Sequence, residues 1–115
     1  MRTLNDYFLT VKMTTISTAG SVYVAVPDGG RVIKIQSVID GAFITADAGI
    51  TAKINGTAIT GGTITITQSG SAAGDVDVAY PSGANAVSAG GAIEIETDGA
   101  STNTIEVFGT IVIRR

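Results

Sequence analysis

From Phe8 onward, apolar and polar side chains alternate at period two in short runs separated by turn formers. Leu9, Val11 and Met13 alternate with Phe8, Thr10 and Lys12, and Val22, Val24 and Val26 alternate with Tyr23 and Ala25. That periodicity places the apolar set on one face of a strand and the other set on the opposite face. Pro27-Asp28-Gly29-Gly30 ends the second run, since proline cannot continue a ladder and glycine takes positive φ without strain. Arg31 to Ile39 predicts the strongest strand of the first half, with Ile33, Ile35 and Ile39 on one face and Lys34 and Gln36 on the other. Val32 and Val38 make its second face partly apolar, as in a central strand.

Asp40 to Gly49 is less regular and reads as a crossing between sheets. A hairpin follows: Ile50, Ala52 and Ile54 run up to Asn55-Gly56, the pair favoured in a type I′ turn, and Thr57-Ala58-Ile59 returns. Thr63 to Thr67 predicts a further strand with Ile64 and Ile66 inward, and Asp75-Val76-Asp77-Val78 a short one ended by Pro81. Ser82 to Gly91 holds Val87 as its core anchor, and Ile93 and Ile95 alternate with Glu94 and Glu96. The last strand, Thr104 to Ile113, carries Ile105, Val107, Ile111 and Ile113 on one face and Phe108 and Val112 on the other. No window sustains apolar residues at helical spacing. The expectation is an all-β chain, an antiparallel β-sandwich or jelly roll of about eight strands. Residues 1–7 read as an N-terminal arm and 8–115 as one domain.

Composition sharpens this picture. A chain of 115 residues fits one domain, and 44% hydrophobic residues with only 15% charged is apolar for a soluble protein. Mean hydropathy is +0.38, so apolar surface is expected to be buried between copies. Val32, Val38, Phe108 and Val112, the apolar members of the second faces, are the candidate oligomer-interface residues. The net charge of −3 repels a phosphate backbone, so no nucleic-acid partner is expected. No apolar run approaches the ~18 residues of a membrane span, and nothing resembles an export signal, so synthesis in a cytoplasm and no membrane partner are expected.

Candidate chemistry is sparse. The chain has no His, no Cys and no Trp, which removes the usual general base, the thiolate nucleophile and thiolate metal ligands. No catalytic residue, cofactor or metal is assigned. Gly70 to Gly74 lacks the Lys-Ser/Thr pair of a phosphate cradle and reads as a turn. Asp75 and Asp77 share a strand face but fall short of the six or more oxygens a hard cation takes. Glu94 and Glu96 lack the cleft and aromatic platforms of a glycosidase pair, and read as a solvent-facing edge or salt bridge. The apolar arm suggests docking on a partner, so Arg2, Leu4, Tyr7 and Phe8, with Arg114 and Arg115, are the candidate partner contacts.

Several stretches carry a resemblance: Ile35-Gln36-Ser37-Val38-Ile39-Asp40-Gly41-Ala42 with Thr45-Ala46-Asp47-Ala48, then Ile54-Asn55-Gly56-Thr57-Ala58, and Gly70-Ser71-Ala72-Ala73-Gly74-Asp75-Val76. With Ala84-Asn85-Ala86-Val87 and Thr97-Asp98-Gly99-Ala100-Ser101, the chain from about residue 20 resembles the small jelly-roll capsid decoration, or cement, proteins of tailed bacteriophages. Gly90-Gly91 departs from the Gly-Asp the family typically carries there. The resemblance implies a protein that joins the outside of an assembled head, usually as a trimer, and clamps neighbouring major capsid subunits, with no enzyme activity. The rival expectation is a receptor- or carbohydrate-binding head module of a phage fibre or cell-surface protein.

Overall fold

The computed structural model describes residues 6–13, 16–42, 46–100 and 105–115. Among these the strands are β1 (Asp6–Met13), β2 (Gly20–Ala25), β3 (Gly30–Ile39), β4 (Ala48–Ile54), β5 (Thr57–Ile66), β6 (Val76–Ala79), β7 (Ala86–Val87), β8 (Ala92–Thr97) and β9 (Val107–Arg114). One sheet has the order β1-β9-β3-β6, with β7 added beside β3, and the other has the order β2-β8-β4-β5. Every pairing is antiparallel. This interleaved order of eight long strands is a jelly roll, with the two-residue β7 as its addition.

The alternation explains the layers. Inward residues of both sheets meet in one core, where Ile16, Ile39, Ile66, Ile93, Ile111 and Ile113 are fully buried. Each such side chain contributes about 1.5–3 kcal/mol relative to exposure. Gly109 is the gap in the inward row of β9, because a side chain there would meet Val11 Cγ1 across the β1–β9 pairing. The Asn55-Gly56 turn has φ of 52° and 79°, the left-handed pair that a type I′ turn needs.

Four sequence expectations need correction. The strand at the N-terminal side opens at Asp6, so Asp6 and Tyr7 belong to β1 rather than to an arm; residues 1–5 lie outside the described part. A bulge between Val32 and Lys34 shifts the register of β3, which turns Val32 inward and leaves Ile33 only half-buried. The two short strands expected at 57–59 and 63–67 are one strand, β5, interrupted where the register with β4 slips between Thr51 and Lys53. Thr60 and Gly61 turn outward there while Ile59 stays in the core, and Thr60 is held by Gly83 and Ser82. Finally, β6 shows the face opposite to the one its pattern suggests. Asp77 pairs with Ser37 and Ala79 with Ile35, the inward residues of β3, so Val76 and Val78 point outward. The segment expected to cross between sheets includes residues 43–45, and the last strand was expected to open at Thr104; these positions lie outside the described residues.

Candidate functional site

The two outer faces of the sandwich are chemically unlike. On β2-β8-β4-β5 the outward positions are polar, and their charges are paired. Ser21 Oγ donates to Glu94 Oε2 at 2.6 Å, and Lys53 Nζ lies 3.0 Å from Glu96 Oε1. Hydrogen bonding and attraction to Glu96 hold the Lys53 ammonium above its ordinary pKa. The two glutamates are thus each engaged by a neighbouring strand of the same chain, on an inner strand of the sheet rather than at an edge. Tyr23, opposite Glu94 in the register, is the exposed aromatic of this face.

The outer face of β1-β9-β3-β6 carries the exposed hydrophobic side chains Phe8, Phe108, Val76 and Val78 among polar ones. Cross-strand register aligns Lys12, Phe108, Val38 and Val76 in one row, and Thr10, Thr110, Gln36 and Val78 in the next. A third row holds Phe8, Val112 and Lys34. Directly opposed residues in an antiparallel pair share a face, so these side chains form one surface. Phe8 is 68% exposed and Val76 56%, with Phe108, Val78 and Tyr80 also exposed. Lys12 lies over the Phe108 ring at 5.8 Å and reaches Glu106 at 3.5 Å, which neutralises its charge at the rim. Beside Phe108, between Val38 and Val76 and floored by Gln36 and Thr110, is a hollow of ≈ 160 Å³.

The remaining sequence candidates fall elsewhere. Val32 is entirely buried inside the protomer and cannot reach a second copy, while Val38, Phe108 and Val112 lie together on the hydrophobic face. Arg2 and Leu4 lie outside the described residues. Tyr7, Arg114 and Arg115 form a clasp within the chain. Arg114 makes two hydrogen bonds of 2.9 Å to Asp6, and Arg115 reaches Asp28 at 3.2 Å while stacking 5.7 Å from the Tyr7 ring. The Tyr7 hydroxyl donates to the Asp28 carbonyl. The clasp ties β1 and β9 to the turn between β2 and β3.

Asp75 and Asp77 do not converge on a cation site. Asp75 accepts from the Ala72 amide at 2.9 Å in the turn that follows Gly70, and Asp77 lies half-buried against Ser37. Burial first, and the nearby Asp75 charge second, raise the Asp77 pKa above the usual aspartate value. Among the described residues no cluster of three or more metal-ligating side chains forms, and no helix is long and apolar enough to cross a membrane. The sequence reading missed Val76, Val78 and Tyr80 as surface residues. The available signal was Ser37, a lone polar residue in the inward row of β3 that marks where Asp77 must sit.

No family model matches the chain, and no curated protein matches it. Solved structures do resemble it in fold. A chain of the acid-stable capsid of Helicobacter pylori bacteriophage KHP30 is similar with a TM-score of 0.60 and 11% identity, over 96% of this chain and 87% of that one. CsCBM6-3 from Clostridium stercorarium, solved with cellobiose, is similar with a TM-score of 0.53 and 12% identity, over 99% of this chain and 86% of that one. A glycoside hydrolase family 43 arabinoxylan arabinofuranohydrolase from Bacillus subtilis has a TM-score of 0.57 and 12% identity, and 92% of this chain spans only 24% of its length. At such identities the likeness is one of fold: a jelly roll shared by a phage capsid chain, a cellobiose-bound module and part of a hydrolase.

Proposed function

We propose that this chain is a structural protein of a phage virion: a cement protein that binds the outer surface of the head and bridges neighbouring major capsid subunits. It does so as a homo-oligomer, a trimer by the family resemblance. The observation that carries this reading is the whole-chain likeness to a KHP30 capsid chain, in which the jelly roll is nearly all of the molecule. In the family 43 hydrolase the same fold is a quarter of a larger enzyme. The chemistry agrees with a mechanical role, since the chain lacks His and Cys and its paired glutamates are engaged by Lys53 and Ser21. Made in the host cytoplasm, the protein would end on the capsid exterior, with no enzyme activity, cofactor or nucleic acid involved. Repeated symmetric contacts then give avidity without a single strong site.

The shell contacts fall to the terminal segment and loops, because the strands are occupied by the sandwich. With Tyr7, Arg114 and Arg115 engaged in the clasp, Arg2 and Leu4 are the arm residues left for the shell. The test is co-sedimentation of purified protein with undecorated heads of the phage that encodes it. Saturable binding is expected, and deletion of residues 2–5 should weaken it while leaving the β-sheet circular dichroism unchanged. Failure of the intact chain to bind such heads overturns the cement reading.

A carbohydrate-binding module is the second reading, favoured by the likeness to CsCBM6-3 and by exposed Tyr23 beside Glu94. Saturable binding on a glycan array, abolished by Tyr23→Ala, would replace the first reading.

A further inference from the structure

The hydrophobic face of β1-β9-β3-β6 has the anatomy of an interface. Its rows of Phe108, Val38 and Val76 and of Phe8 and Val112 flank a row of Thr10, Thr110 and Gln36, Lys34 stands beside Val112, and two ion pairs lie at the strand ends. Lys12 meets Glu106 at one end, and Arg114 meets Asp6 at the other. Exposed aromatic and aliphatic side chains gathered on one face form the centre of protein interfaces. At ~3.4 Å per residue and ~4.8 Å per strand, the four strands span roughly 500 Å² in plan, a small interface beside the ~800 Å² per partner of a standard one. The opposite outer face, with its ion pair and threonines, has no such centre.

Two features of this face are complementary. Phe8 stands out from the edge strand β1, 68% exposed, with no aromatic or charged neighbour across the pairing, where Val112 lies. Toward the opposite edge is the hollow of ≈ 160 Å³ between Phe108, Val38 and Val76. A cavity of about 150 Å³ takes a benzene ring, so the hollow, lined by Phe108, Val38 and Val76 with Gln36, Ser37 and Thr110, has the size of a phenylalanine ring. Phe8 of the same protomer is not among the residues that line it.

We propose that copies of this chain associate through this face, with Phe8 of one copy seated in the hollow beside Phe108 of the next. Joining Phe8 of one copy to the hollow of another uses two unlike patches, and a heterologous contact of that kind gives a ring where its rotation closes. The contact rests on the proposed cement function only for the count of three; the pairing of patches stands on the face itself.

The test uses purified protein without heads, so that its failure is distinct from failure to bind a capsid. Sedimentation velocity at tens of micromolar should show an oligomer. Phe8→Ala and, independently, Val38→Asp should each weaken association about tenfold or more while the circular dichroism spectrum stays β. Tyr23→Ala, on the other face, should change nothing. Because the chain has no cysteine, an equimolar mixture of Thr10→Cys and Val78→Cys chains, which keep Phe8 and the lining of the hollow, should give a crosslinked dimer of the two variants on treatment with a short bismaleimide. A mixture of Thr10→Cys with Thr63→Cys should not. A monomeric wild type, or an oligomer indifferent to both Phe8→Ala and Val38→Asp, overturns the proposal, as does equal crosslinking at Thr63.

Discussion

At the scale of single residues, Asp77 shows how a strand register can override a local pattern. Alternation in Asp75-Val76-Asp77-Val78 invites the valines inward, yet pairing with Ser37 and Ile35 brings Asp77 and Ala79 to the inner face. Half-burial disfavours the carboxylate, and Asp75 adds repulsion, so the folded-state pKa lies above the ordinary aspartate value. The folded state therefore holds its proton to higher pH than the unfolded chain does. Stability from this group is present below the unfolded value and declines as pH rises through the folded one. Asp77→Asn should accordingly raise the denaturant midpoint at neutral pH, and its advantage over wild type should vanish below the ordinary aspartate range. A midpoint difference that is constant across that range would show that charge is not the cause. Ser37 Oγ, buried with no hydrogen-bond partner among the described residues, marks the same weak point from the β3 side.

Pairs of elements are decided by how their side chains interlock. β1 and β9 pair along the full length of both strands, and Gly109 makes room for Val11 in the inward layer. A Cβ at Gly109 would lie 2.7 Å from Val11 Cγ1, which makes Gly109→Ala an overpacking change of about 1–3 kcal/mol. Adding Val11→Ala should recover part of that loss, so the double variant should be more stable than additivity predicts, as read from urea midpoints. The bulges follow the same logic. A one-residue slip would send a whole apolar set to solvent. The irregularity between Val32 and Lys34 instead keeps Val32 in the core and lets Ile35 and Ile39 stay there. The Asn85 side chain, buried and donating to the Val32 carbonyl at 2.7 Å, supports the backbone at that bulge.

Across the whole molecule, the β4–β5 hairpin is the local pairing, and the other long strands join partners distant in sequence. Loops must therefore close before the sheets are rewarded, and folding is expected in the millisecond-to-second range. One core serves both sheets. Ile93→Ala, at a fully buried site on β8, should cost about 2–5 kcal/mol of stability in a single cooperative denaturation. The two outer faces, one with Glu94, Glu96 and Lys53 and the other with Phe8, Phe108 and Val38, give the molecule a polar side and a more apolar one.

Much of this was legible in the sequence, because period-two alternation and turn residues act locally. The strand count, the jelly-roll class, the Asn55-Gly56 turn, the inward isoleucines of β8 and β9, and the outward Val38, Phe108 and Val112 all follow from side chains within a few positions of one another. Tertiary structure decided whatever depends on the partner strand. A bulge is invisible until the neighbouring ladder fixes the register, so Val32 looked like surface and Thr57 to Ile66 looked like two strands. A four-residue strand such as β6 carries too little pattern to set its own face and takes it from β3. The clasp of Tyr7, Arg114 and Arg115 joins the two ends of the described chain to the turn at Asp28, a meeting created by the fold. The hollow facing solvent beside Phe108 exists only where three strands lie side by side.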